Sequence, residues 1–189
     1  MTENRLVPWI AAGKAPREVF RLIAAEESRI VPSDQRSFLC LAARAEKVGE
    51  REFFAGLASG EGIALEKLKA LVEATGAGGH YEPLSGCQTY PSFMAWMALN
   101  AKPADVIVAL NANFAAFGEY CATIAKAMRE HYGFDDEACG FFDFFATPAD
   151  GQSEDIATSN KPSPEAKTYT RLFHDYELQF WNTIADAVK

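Results

Sequence analysis

The chain has 189 residues, and its 26 Asp plus Glu outweigh 18 Lys plus Arg to give a net charge of −8. That balance argues against phosphate-backbone binding, which needs clustered cations, so no nucleic-acid partner is expected. With 49% hydrophobic and 23% charged residues, the composition is that of a single globular domain spanning 1–189, large enough to fold without disulfides or a structural metal.

Helical spacing dominates and strand alternation is nearly absent. Phe20, Ile23, Ile30 and Val31 share one face of a helix predicted over about 16–31, with Pro16 in its first turn. Ser33 or Asp34 then reads as the cap of a second helix carrying Phe38, Leu39, Leu41 and Ala42. A further stretch holds Phe53, Phe54 and Leu57. Gly60 and Gly62 are expected to interrupt it before Leu65, Leu68, Leu71 and Val72, and the glycines after Thr75 to end it. Residues 81–89 read as a loop. Pro91 opens a helix with Phe93, Met94, Trp96 and Met97, which Lys102-Pro103 breaks. The longest helix is predicted over 104–131, followed by a short aromatic segment, Phe141-Phe142-Asp143-Phe144-Phe145. Residues 148–162 read as one long loop. Ser163-Pro164-Glu165 is a helix start, with Ser163 as N-cap, for a last helix reaching about 187. The fold class is therefore all-α, a bundle of about seven helices.

The N-terminus lacks a basic region followed by an apolar one, so a secretory signal is not expected. No apolar run approaches the ~18 residues of a membrane span. Cys40, Cys87, Cys121 and Cys139 are far apart and form no CxxC, as expected of a cytoplasmic protein with free thiols.

Two carboxylates stand out. Glu177 lies within the apolar stripe Tyr169, Phe173, Tyr176, Phe180, Trp181 and Ile184, with Phe173 at i−4, Phe180 at i+3 and Trp181 at i+4. Glu27 has Ile23, Ile30 and Val31 at the corresponding spacings, and Glu26 is its neighbouring candidate. A carboxylate on an apolar face is costly unless paired or protonated, and desolvation raises its pKa, as in many general acids and bases. The plainer reading is an edge charge paired with a Lys or Arg, for the first helix with Arg29 or a distant cation. Two inward carboxylates also begin a di-iron bundle, but none of His80, His131 and His174 has Glu at i−3. The scarcity of histidine argues against haem and di-iron, and neither metal nor other cofactor is expected.

The segment Tyr176-Glu177-x-x-Phe180-Trp181 resembles the Y-E-x-x-F-W signature of TenA-type proteins (thiaminase II), a branch of the haem-oxygenase-like helical fold. Phe20-x-x-Ile23-x-x-Glu26-Glu27 resembles the family's F-x-x-Y-x-x-Q-D segment, and Tyr90-Pro-Ser-Phe93-Met94 its Y-T-x-Y-L stretch. The resemblance implies a haem-oxygenase-like bundle that hydrolyses an aminopyrimidine in thiamin salvage. It implies Glu177 as proton shuttle, Glu27 as anchor of the amino-pyrimidine edge, and Tyr90 and Tyr176 in the pocket. It also implies a homo-oligomer, dimer or tetramer, for which Trp9 or Trp96 would serve as interface aromatics. The family's nucleophilic cysteine is missing. One register puts Asn113 at its position, with Phe117 where a pocket tyrosine falls. The other puts Phe117 there and Cys121 at the tyrosine, while Glu119 is a substitute carboxylate. Three readings stay open: a hydrolase, a small-molecule-binding protein whose wall includes the Phe141–Phe145 cluster, and an oxygenase resembling the quinone-cofactor synthase PqqC.

Overall fold

The structure is a computed structural model that describes residues 3–147 and 163–189. Among these residues there are seven α-helices and no strand. They are α1 (Leu6–Ala11), α2 (Glu18–Arg44), α3 (Val48–Thr75), α4 (Thr89–Asn100), α5 (Pro103–Tyr132), α6 (Asp136–Ala146) and α7 (Glu165–Ala187). A 3-10 turn at Ser85–Gln88 leads into α4. The expected loop over 148–162 lies outside the described residues. Helix α2 packs mainly on α3, and α5 packs on α6 and α7, while α4 bridges α2 and α7.

Several helix ends follow local chemistry. Gly76 and Gly133 stop α3 and α5 in the left-handed conformation that a side chain disfavours. Pro103 opens α5, where its missing amide costs no helical hydrogen bond. Arg44 donates to the carbonyls of Ala98 (2.5 Å) and Ala101 (2.9 Å), so the end of α2 satisfies the end of α4.

Other sequence expectations are corrected. The predicted break near Ser33-Asp34 does not occur, and α2 runs through Pro32. Proline removes one amide, but the inner face continues through Ile30, Val31, Asp34, Phe38 and Leu41, all buried, and packing on both sides outweighs one lost bond. Leu39, expected on that face, is 54% exposed. Gly60 and Gly62 do not interrupt α3. A Cβ on Gly62 would stand 3.2 Å from Nε2 of Gln35, which donates to the Ala58 carbonyl, so a side chain here would crowd the Gln35 amide. Ser163 does not cap α7. Its amide and hydroxyl donate to buried Asp105 at 2.8 and 2.7 Å, which ties the start of α7 to the start of α5. Helix α1 was not anticipated. It packs on α5 and α7 through Leu6, Val7 and Ile10.

The apolar core is divided into two clusters. One contains Phe38 and Leu41 of α2, Phe54 and Ala58 of α3, Val106, Ile107 and Leu110 of α5, and Phe173 of α7. The other contains residues through Val31 of α2, then Ala64 and Leu68 of α3, Cys121 and Ile124 of α5, and Phe180 and Trp181 of α7. Where the clusters meet, these four helices turn polar residues toward one another: Glu27 and Asp34 from α2, Glu61 from α3, Asn113 from α5 and Glu177 from α7. The bundle therefore has a polar layer at its waist.

Close approach of the 3-10 turn to α7 depends on Gly86, where a Cβ would lie 2.1 Å from Oγ1, 3.0 Å from Cβ and 3.1 Å from Cγ2 of Thr183. Rotating Thr183 cannot clear all three contacts. Gly86→Ala is expected to cost about 1–3 kcal/mol and lower Tm by about 2–4 °C for each kcal/mol. Calorimetry should show part of that loss recovered in a Thr183→Ala background, which removes the Oγ1 and Cγ2 contacts and keeps the one to Cβ.

Candidate functional site

Glu26 and Glu27 are both buried, but they have different surroundings. Glu26 is saturated with donors. Its Oε1 accepts from the Tyr81 hydroxyl and the Leu84 amide, both at 2.7 Å, and its Oε2 from Gln88 Nε2 at 2.8 Å. It pins the segment between α3 and α4. Glu27 faces the interior without a cationic partner, and Arg29 is exposed. Its pKa is pushed up to about 8, first by burial and then by the negative charges of Asp34, Glu26 and Glu177.

Glu177 approaches from α7. Its Oε1 accepts from Trp181 Nε1 at 3.2 Å, while Oε2 is buried without a partner. Burial pushes its pKa up to about 7, against the pull of Trp181 and of the Asn113 side chain from α5. Asn113 is 7% exposed, and its Oδ1 is also unpartnered. The group across from Glu177 is therefore an amide, not a thiol or a carboxylate.

Asp34 and Glu61 join this layer, and the sequence reading missed both. Asp34 is 4% exposed, with Oδ1 buried and unpartnered. Burial raises its pKa to about 7, opposed by the Tyr90 hydroxyl. Glu61 is half-buried, and its pKa is raised well above the ordinary value by burial, Asp34 and Glu27. The Tyr90 phenol is raised by burial and then by Asp34, Glu61, Glu177 and Glu27, so this one hydroxyl feels all four acids. Tyr90 also packs edge-on against Phe173, with centroids 4.9 Å apart. Among the described residues, none of the ion pairs involves these four carboxylates.

Both missed acids carried a signal. Asp34 lies seven residues after Glu27, two turns along one face, and Phe38 follows at i+4. Glu61 has Leu57 at i−4 and Leu65 at i+4. The Ser-Asp pair read as a cap, and the flanking glycines read as a break, so neither residue was placed on an inner helical face.

Phe117 is half-buried and links Trp181 to Phe145, with centroids 6.4 and 5.3 Å apart. Phe141 and Phe142 are core residues at 1% exposure, and Phe145 connects them to Phe117. Tyr176 packs on Phe93 of α4 at 5.3 Å, on the side of α7 where Phe93, Trp96 and Tyr169 make an aromatic cluster. Glu119 is exposed, which corrects its candidacy as a substitute carboxylate. Cys121 is fully buried, and burial with Glu27 and Glu177 nearby drives its thiol pKa up, opposing the thiolate a nucleophile needs. His80 and His131 are exposed. No metal-holding group of three or more His, Cys, Asp or Glu occurs among the described residues.

The family model described as TENA/THI-4/PQQC matches residues 5–187. A TenA homologue from Pyrococcus horikoshii OT3 superposes with a TM-score of 0.72 at 19% identity, covering 97% of this chain and 90% of that one. A TenA homologue from Pseudomonas syringae pv. tomato DC3000 gives 0.80 at 15% identity, covering 98% and 86%. A domain of unknown function with a haem-oxygenase-like fold from Shewanella denitrificans OS217 gives 0.75 at 12% identity, covering 98% and 84%. These likenesses establish the haem-oxygenase-like fold. No curated protein matches the chain.

The raised carboxyl values set the direction of a pH effect. Glu27, Asp34 and Glu177 have folded pKa values of about 7–8, above their ordinary values of 4.5, 3.8 and 4.5. Their contribution to stability is complete below about pH 4 and is lost as pH rises through 7–8. Without ligand, Tm should fall by about 5 °C or more between pH 5.5 and 8.5. Glu27→Gln should flatten that decline, whereas a flat or rising wild-type profile would contradict the assignment.

Proposed function

The chain belongs to the TENA/THI-4/PQQC family, and from that premise we propose that it binds a small aminopyrimidine or related metabolite at the buried acidic layer, with Glu177 handling protons. The observation carrying this reading is the pair of facing carboxyls, Glu27 on α2 and Glu177 on α7, buried without cations and held near neutrality. A neutral carboxyl offers one O–H donor and one C=O acceptor side by side. An aminopyrimidine edge offers the complementary pair, a ring nitrogen and an exocyclic amine. Glu27, half-protonated near pH 8, suits such two-point pairing, and Tyr90, Phe117 and Asn113 supply walls and a further polar contact.

Asn113 weighs on the chemistry. An amide cannot replace a thiolate nucleophile, so no covalent ring adduct forms at this position. Hydrolysis in this site proceeds by direct attack of water on the amine-bearing ring carbon. Glu177 takes a proton from the water and returns one to the departing amine, which leaves as ammonia while the ring gains the oxygen. A pKa of about 7 suits both transfers. Binding without turnover is the second reading, favoured by the same asparagine. Ammonia release from aminopyrimidines should fall at least about 100-fold in Glu177→Gln while binding persists. Thermal shift should fall away in Glu27→Gln. Absence of both turnover and thermal shift in the wild type would refute the proposal, and a shift without turnover would select the binding reading.

The proposal extends to assembly in the cytoplasm as a homo-oligomer, a dimer or tetramer, through the aromatic side of α4 and α7. There Trp96, which stacks on Phe93 and meets Tyr169 edge-on, is 46% exposed, and Leu99, three residues further along α4, is 68% exposed. Sedimentation should show the Trp96→Asp variant dissociating towards monomer at concentrations where the wild type remains assembled.

A further inference from the structure

The proposed aminopyrimidine head engages Glu27 and Glu177, which leaves Asp34, Glu61 and the Tyr90 hydroxyl without an assigned task. Asp34 is not a stray surface acid. It is 4% exposed, it projects from the inner face of α2, and its Oδ1 meets no donor. Two further buried acceptors of the layer, Asn113 Oδ1 and Glu177 Oε2, are orphaned in the same way. Three unpartnered acceptors on three helices call for a ligand rich in donors, because a buried acceptor without a donor is costly. The acids are not gathered as metal ligands, since no such group of three or more occurs among the described residues. An organic cation with separated donors fits better than a single ion.

The helix sets the ruler. Glu27 and Asp34 are seven residues apart, about 10 Å along one face of α2. With a charge-assisted contact of about 2.8 Å at each end, a ligand lying along this face has cationic groups about 5–10 Å apart. Resting on the reading of this layer as a ligand pocket, we propose that Asp34, with Glu61 and the Tyr90 hydroxyl, is a second anchor, which takes an aliphatic ammonium at the far end of an extended, doubly cationic ligand. The substrate class is thus an amine or amidine head joined to a terminal primary amine through about four to six carbons, and not a compact monocation.

The test is calorimetric titration of the full-length protein with 1,4-diaminobutane and 1,5-diaminopentane, against n-butylamine and 1,4-butanediol. The diamines are expected to bind at least tenfold tighter than butylamine, and the diol not at all. Asp34→Asn should bring the diamines to the level of butylamine and should weaken a tailless aminopyrimidine by a much smaller factor than it weakens the diamines. Glu27→Gln should weaken both probes. Glu61→Gln, at a half-buried position, provides the same comparison with less risk to folding, and should weaken diamine binding selectively. Diamines that bind no tighter than butylamine, or an Asp34→Asn protein that keeps full diamine affinity, would overturn the second anchor. Aminopyrimidine binding without diamine preference removes the anchor and leaves the pocket reading intact. Diamine binding without aminopyrimidine binding supports the anchor and removes the aminopyrimidine head.

Discussion

Acids buried inside a helical bundle without compensating cations constrain everything around them. Placing an ionised carboxylate in an apolar interior is so costly that the group either finds a partner or keeps its proton. Here Glu27, Asp34 and Glu177 take the second course, with values of about 7–8. Near neutral pH the layer is balanced between protonated and ionised forms. A small change in its surroundings, such as the arrival of a donor or a cation, shifts that balance.

The fold places this layer by dividing its core. An apolar cluster built on Phe38, Phe54 and Leu110 lies on one side, and one built on Phe20, Ile124 and Trp181 on the other. The two clusters, each built of fully or nearly fully buried side chains, flank the unfavourable polar stratum between them. The same logic separates Glu26 from Glu27. Adjacent residues on a helix point about 100° apart, so Glu26 turns to the Tyr81–Gln88 segment and is satisfied by three donors, while Glu27 turns to the interior. Glu26 is thereby a structural clamp.

Much of this was legible in the sequence. Glu27 and Glu177 were visible because each interrupts an apolar stripe at i−4, i+3 and i+4, and burial at both positions follows from that spacing. Asp34 and Glu61 were not recognised because local signals obscured their helical faces, the cap read at Ser33 or Asp34 in one case and Gly60 with Gly62 in the other. Tertiary packing carried both helices through those signals. Tyr176 illustrates a different limit. It adjoins Glu177 in the sequence motif, yet on the helix it turns about 100° away and packs on Phe93. A motif records chain order, whereas which face each residue occupies depends on the neighbouring helices.

The central claim is that the inner carboxyls remain protonated in the ligand-free protein at pH values where ordinary carboxyls have ionised. Infrared difference titration of the carboxyl C=O stretch tests it directly, with Glu27→Gln and Glu177→Gln used to assign the bands. The account predicts protonated-carboxyl bands that persist at pH 6.5 and disappear between about pH 7 and 8, each reduced in its own variant. Complete ionisation of every carboxyl by pH 6 would contradict it.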